Sequence, residues 1–381
     1  MEKPLKVRHG VICRTPNQHF GYWGWPSVAK MEDGTLVAAC SGFRLRHIDP
    51  FGKNTLFYSR DEGKTWSPPV VANDTRKDDR DAGIVSLGGK KLLLTWFNHP
   101  REAYTHTYYE IMKGDMTPAE QGLLDGMIRD YAEIPDELYR PGSFLRVSED
   151  GGITWSEARQ SPVSAPHGPI VLRDGSLFYL GREFYSQLPQ TDPEDKEALL
   201  ACVSRDEGRS WQRMGRVPLP ANVDPKDTTV EMCEPHALEL PSGRILGMIR
   251  FQSNPVHPAY QKGFTILLTH SDDGGKSWSA PTHIDVSGFP PHLLRHSSGA
   301  IVCVYGRREE PFGERAMVSW DEGESWDTEY VLHNDGICVD LGYPASVELS
   351  DGSILTVYYQ KVGEDRDTSI LYSVWELPER P

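Results

Sequence analysis

An eight-residue pattern, Ser-x-Asp-x-Gly-x-Thr/Ser-Trp, occurs five times along the chain. The copies are SRDEGKTW at 59–66, SEDGGITW at 148–155, SRDEGRSW at 204–211, SDDGGKSW at 271–278 and SWDEGESW at 319–326. Such repetition constrains the fold more than composition does, because each copy marks a supersecondary unit that cannot bury its apolar face alone. A second series runs beside the first. Tight-turn pairs followed by apolar, β-branched and aromatic residues occur at EDGTLVAAC (32–40), LGGKKLLLTWF (87–97), RDGSLFYLG (173–181), PSGRILGMI (241–249), SSGAIVCVY (297–305) and SDGSILTVYY (350–359). These read as six β-hairpins with glycine at the turn. The steps from Gly34 through Gly89, Gly175, Gly243, Gly299 and Gly352 are 55, 86, 68, 56 and 53 residues. A period of about 50 residues suits a four-stranded propeller blade.

The expected fold is therefore all-β, a single six-bladed β-propeller over residues 1–381. Five hairpins are followed by a copy of the repeat, and the sixth by SILYSVWELPE close to the last residue. A propeller must close its last blade or leave strand edges exposed. VRHGVICRTP near the N-terminus is the strand expected to do so, which accounts for the missing sixth copy. The oversized second step comes from an insertion at about 98–143. Within it, Thr117 and Pro118 form an N-cap and first-turn pair, and Leu123, Leu124, Met127 and Ile128 have helical spacing. A short helix on a long loop follows, able to cap a site, contact another subunit or pack on the rim.

With 381 residues and 38% hydrophobic content, the chain is long enough to bury a large core. Its net charge of −15 speaks against nucleic acid and anionic membranes as partners, since both need basic patches. No apolar run approaches the roughly 18 residues that span a bilayer, and MEKPLKVRHGVICRTP lacks the apolar segment of a secretory signal. Six scattered cysteines without Cys-x-x-Cys spacing read as reduced, buried thiols. A cytoplasmic location and no cofactor are expected; the oligomeric state is left open.

The five repeat aspartates, Asp61, Asp150, Asp206, Asp273 and Asp321, are spread evenly and cannot converge on one substrate. They read as turn formers: the carboxylate accepts from turn N–H and hydroxyl groups, a glycine such as Gly63 takes a left-handed turn, and a tryptophan such as Trp66 packs between blades. Chemistry is expected instead on the axis, at the starts of the inner strands, about eight residues before each hairpin glycine. Those stretches read GYWGWPSV (21–28), DDRDAGIV (78–85), SAPHGPIV (164–171), EMCEPHAL (231–238), GFPPHLLR (288–295) and LGYPASVE (341–348). They hold Trp23, Trp25, Arg80, Asp81, His167, Glu231, Glu234, His236, His292 and Tyr343, with Asp340 just ahead of the last.

The repeated turn resembles the Asp-box, or bacterial neuraminidase repeat, and the six-repeat layout resembles the sialidase superfamily over nearly the whole chain. That resemblance implies a tyrosine nucleophile activated by a glutamate, an aspartate acid/base and three arginines for a substrate carboxylate. Matched residue by residue, it makes Tyr343 the nucleophile, Glu234 its base, Asp49 the acid/base and Arg250 the second arginine. The third arginine falls among Arg307, Arg308 and Arg315. The family's first arginine lies in a Phe-Arg-Ile-Pro-like motif, and here that place reads Trp23-Gly24-Trp25-Pro26. A charge-assisted pair is worth on the order of 1.5–3 kcal/mol, so its loss weakens the grip on a carboxylate. Trp23 and Trp25 suggest a stacking platform for a sugar ring, with Arg44, Arg46 or Arg80 as other sources of charge and Asp81 beside the last.

His167, His236 and His292 each follow a proline at the start of consecutive inner strands. Converging imidazoles could bind a divalent metal, act as acid/base in a glycosidase or polysaccharide lyase, or hydrogen-bond sugar hydroxyls. The expected function is an exo-acting, retaining glycoside hydrolase acting on a carbohydrate other than ordinary sialic acid. A non-catalytic glycan-binding propeller and a histidine-dependent lyase or metal-assisted enzyme are the alternatives.

Overall fold

The computed structural model describes residues 2–114, 116–183, 198–254 and 263–380. Six antiparallel sheets follow one another along the chain, each a blade of a propeller. The inner strands are Tyr22–Lys30, Arg80–Ser86, Ile170–Val171, Val230–Glu239, Pro291–Arg295 and Gly342–Glu348. The next strands outward, such as Leu36–Arg44 and Leu92–Asn98, are sandwiched between neighbouring blades. Both of their faces are covered, so LLLTWFN is buried at every position rather than at alternate ones.

The core lies between blades. Blades six and one enclose Val28, Leu36, Phe57, Ala345 and Leu355; blades three and four enclose Phe178, Leu180, Ala201, Ile249 and Leu267. Each Asp-box seals one of these seams. In the first copy the Ser59 hydroxyl donates to Asp61 Oδ1 (2.8 Å) and accepts from the Gly63 N–H (2.8 Å), while Thr65 donates its N–H to Oδ1 (2.9 Å) and its hydroxyl to Oδ2 (2.6 Å). The Thr65 hydroxyl and N–H bonds hold the Asp61 carboxyl down at about 2. The same bonds recur around Asp150, Asp206, Asp273 and Asp321.

The box glycine then touches the preceding blade. A Cβ on Gly275 would lie 2.6 Å from the Phe178 ring and 3.2 Å from Ala201, and its φ is +89°. Gly274, at φ +74°, faces open space, and Glu207 holds the equivalent place at φ 57°. Gly275→Ala is therefore expected to lower unfolding free energy by about 2–4 kcal/mol, combining left-handed strain with overpacking. Gly274→Ala should cost about 1 kcal/mol, from the backbone alone. Urea denaturation of the two variants checks the difference.

Closure comes from the N-terminal segment. Val7–Cys13 pairs antiparallel with Thr368–Trp375 as the outermost strand of blade six. Lys3–Pro4 adds a parallel pairing to Tyr330 and Val331 on blade five, which the sequence did not suggest. Five cysteines are buried and free, and Cys338, expected buried, is half-buried. Among the described residues no helix is long and apolar enough to cross a membrane.

The insertion is more helical than expected, with a π-helical turn at Ala103–Thr107 and a short helix at Tyr109–Lys113 ahead of the helix Pro118–Ala132. Thr117 caps the last of these in a reciprocal capping box with Glu120. Leu124 and Tyr131 form the buried side, whereas Leu123 is exposed. They join Tyr104, Met112 and Leu45 in a cluster that also holds Ile48 and Phe51. The insertion thus packs on the blade-one loop 45–52, which borders the axis.

Candidate active site

Four inner strands carry the same irregularity. Pairing with the next strand slips between Gly24 and Ser27, Arg80 and Gly83, Cys233 and His236, and Gly342 and Ala345. At each bulge one non-glycine residue is left-handed: Trp25 (φ 53°), Asp81 (54°), Glu234 (47°) and Tyr343 (51°). Such a conformation costs about 1–3 kcal/mol per residue and persists where the surrounding structure enforces it. Asp81, Glu234 and Tyr343 come from alternate blades, and all three line one cavity of about 210 Å³ at the mouth of the axis.

The Tyr343 hydroxyl donates to Glu234 Oε1 at 2.6 Å. Arg250 Nη1 donates to Glu234 Oε2 and, at 3.2 Å, to Tyr343 Oη. The Arg250 guanidinium lies 3.8 Å from the centroid of the Phe289 ring and donates through Nη2 to Gln252 Oε1 (2.6 Å). Gln252 in turn donates to Glu231, which also accepts from Arg182. Burial, joined by the Glu234 charge, raises the Tyr343 hydroxyl well above its ordinary value, so it is protonated until a base takes the proton.

Asp81 stands apart from this chain of bonds. Among the described residues its carboxyl accepts no hydrogen bond. Burial pushes it up to about 7, opposed by Arg80 and Arg44 and reinforced by Glu234 and Asp78. Arg80 lies 4.1 Å from the Trp25 ring centroid, donates to the His47 carbonyl (3.2 Å) and sits 3.6 Å from Asp78.

Several expected site residues lie elsewhere. Asp49 is 1% exposed, and both its oxygens accept backbone N–H groups, from Leu45 (2.7 Å) and Phe51 (2.6 Å). It shapes its loop rather than facing the cavity. Trp23 packs in the seam of blades six and one, against Phe43 and Phe57. Trp25 is covered by Arg80 and Arg44 and offers no open face for a sugar. Arg315 is fully buried on blade five, held by the His333 carbonyl and Glu2. Arg308 donates to the Leu341 carbonyl (2.8 and 3.0 Å) and lies 5.6 Å from the Tyr343 ring centroid, beside the cavity.

The three histidines do converge, but buried and outside the cavity lining. Ring centroids are 4.3 Å apart for His236 and His292, 4.9 Å for His167 and His292, and 5.8 Å for His167 and His236. His236 and His292 accept the Leu293 and Ser346 N–H groups at Nδ1. Burial depresses all three imidazoles far below their usual range. Among the described residues no group of three His, Cys, Asp or Glu side chains has the arrangement of metal ligands. Sequence reading missed Phe97, His99 and Arg182 in the lining. A signal for Arg182 exists: it follows Gly175 by the seven residues that separate Arg250 from Gly243.

Comparison with known proteins bears on this architecture. The BNR repeat-like domain family matches residues 133–356, and the BNR/Asp-box repeat matches residues 57–68. No curated protein sequence matches the chain. A Dyadobacter fermentans protein of unknown function superposes with a TM-score of 0.72 at 23% identity, covering 98% of this chain and 99% of that one. The Trypanosoma rangeli sialidase in complex with sialic acid gives 0.60 at 14% identity, over 97% of this chain and 59% of its own. The Penicillium chrysogenum α-L-arabinanase complexed with arabinobiose gives 0.59 at 15%, over 96% and 98%. These likenesses are of fold. With six blades, five Asp-boxes and a profile match over more than half its length, the chain belongs to the BNR repeat-like domain family and has the sialidase-like propeller architecture.

Proposed function

We propose that the protein is an exo-acting, retaining glycoside hydrolase with Tyr343 as nucleophile, acting on a sugar other than ordinary sialic acid. The observation that carries this reading is the 2.6 Å hydrogen bond from Tyr343 to Glu234 inside the axial cavity. Glu234 is placed to take the phenolic proton as Tyr343 Oη bonds to the anomeric carbon, and Arg250 stabilises the charge that develops between them. A tyrosine nucleophile is a known exception among glycosidases, most of which use a carboxylate.

The charge balance of the lining supports a neutral sugar. The guanidinium groups of the lining are already compensated without Asp81: Arg182 and Arg250 are each bonded to a carboxylate of the wall, and Arg80 is held by the Trp25 ring, the His47 carbonyl and Asp78 at 3.6 Å. A clamp for a substrate carboxylate needs uncompensated cations. The volume lies below the roughly 300–1,000 Å³ of sites for larger ligands, which suits one terminal ring. Similar propellers include both sialidases and an arabinanase, so the fold alone does not choose the sugar.

A panel of aryl glycosides, sialoside included, tests the reading. Turnover of a neutral glycoside with retained anomeric configuration is expected. Cleavage of the sialoside alone would overturn the neutral-sugar assignment, and binding without turnover of any member would select a carbohydrate-binding propeller.

A further inference from the structure

The glycosidase reading leaves its acid unassigned, because Asp49 has both oxygens committed to backbone N–H groups. Resting on that reading, we propose that Asp81 is the general acid/base, supplied by the bulge of blade two. Three features of its placement support this. Asp81 occupies the same left-handed bulge position as Glu234 and Tyr343 and lines the same cavity. It comes from blade two, whereas Glu234 and Tyr343 come from blades four and six, so it enters their shared cavity from a third direction. Its carboxyl is buried yet bonded to no other described group, unlike Glu231, Glu234 and Asp78.

Holding a non-glycine residue at φ 54° is costly, and retaining one there is understandable where the side chain must point at reacting atoms. The surroundings keep the acid form available near neutrality. Glu234 and Tyr343 act on it electrostatically from blades four and six, Arg80 and Asp78 from its own blade, Arg44 from blade one and Tyr179 from blade three. Burial and the two carboxylates outweigh the arginines.

The steps balance. As the bond between the anomeric carbon and the leaving oxygen breaks, that oxygen takes the Asp81 proton. Tyr343 Oη bonds to the anomeric carbon, and its own proton passes to Glu234. Water then attacks: its oxygen bonds to the anomeric carbon, one of its protons goes to Asp81, and the Tyr343 oxygen leaves and regains its proton from Glu234. The sum is a glycoside and water giving a free sugar and an alcohol.

The test uses the intact protein and paired phenyl and 2,4-dinitrophenyl glycosides of the sugar the panel identifies. Asn tolerates left-handed backbone, so Asp81→Asn suits the position, and a ratio of two substrates on one sample is independent of how much protein is folded. Asp81→Asn should lower kcat/KM for the phenyl glycoside by on the order of 10²–10⁴-fold. For the dinitrophenyl glycoside, whose leaving group needs no proton, the loss should stay within about tenfold. The alkaline limb of the kcat/KM profile should vanish. Equal losses on both substrates with an unchanged pH profile would overturn the role of Asp81 alone. Wild-type inactivity on every glycoside would instead defeat the glycosidase reading, and this role with it.

Discussion

Replacing Tyr343 by Phe should reduce kcat/KM on an active glycoside by on the order of 10⁴-fold or more while leaving the melting temperature nearly unchanged. The substitution removes one oxygen, whose contacts are Glu234 (2.6 Å) and Arg250 (3.2 Å). The ring keeps its place beside Tyr359, 6.0 Å between centroids, and within the seam of blades six and one. Glu234 stays bonded to Arg250, so no carboxylate is stranded. At about 1.4 kcal/mol per tenfold, the loss corresponds to about 5–6 kcal/mol of transition-state stabilisation. That is far more than a neutral hydrogen bond of about 1 kcal/mol contributes to substrate binding, so the size of the effect separates a nucleophile from a binding residue. A 2-deoxy-2-fluoro glycosyl fluoride should leave a covalent adduct on Tyr343, read by mass spectrometry of the digested protein. Turnover retained by Tyr343→Phe within about tenfold would sink the assignment.

The propeller was legible because its repeat is dictated locally. Each Asp-box needs an acceptor, a left-handed residue and a seam-filling tryptophan at fixed spacing, and these leave a pattern in sequence whatever the rest of the chain does. Tyr343, Glu234 and Arg250 were legible for a related reason, since the ends of the inner hairpins face the axis. Trp23 and Trp25 were not. In a regular strand residues two apart share a face, and both would have looked inward. The bulge between Gly24 and Ser27 parts them, sending Trp23 into a seam and Trp25 beneath Arg80. Asp49 fits the family's spacing, but its loop is shaped by a tertiary contact, the inserted helices packing on Leu45, Ile48 and Phe51. No local signal reports such a contact.

That contact rests on a buried ion pair, and breaking it is the largest stability change expected. Arg44 and Asp78 are both fully buried and bonded to each other. Arg44 also donates toward the His47 carbonyl (3.2 Å) and the Asp49 carbonyl (3.4 Å), while Tyr104 of the insertion donates to Asp78. Burial alone would raise the Asp78 carboxyl; Arg44, Arg80 and the Tyr104 hydroxyl together hold it below its ordinary value. Arg44→Met fills similar space but strands the charge, leaving Arg80 at 3.6 Å as its remaining cationic partner. The expected cost at neutral pH is about 3–5 kcal/mol. Its pH dependence has a definite sign. In the wild type the depressed carboxyl contributes stability above the unfolded value of about 3.9, lost as pH falls through the folded value. In Arg44→Met the same carboxyl rises above its unfolded value, so protonation relieves the buried charge and the variant recovers relative to wild type as pH falls. Urea denaturation at pH 7 and pH 4.5 should show a larger difference at pH 7. A difference that grows toward pH 4.5 would mean that Asp78 is not held ionised by Arg44, and the anchoring of the loop 45–52 would need another cause.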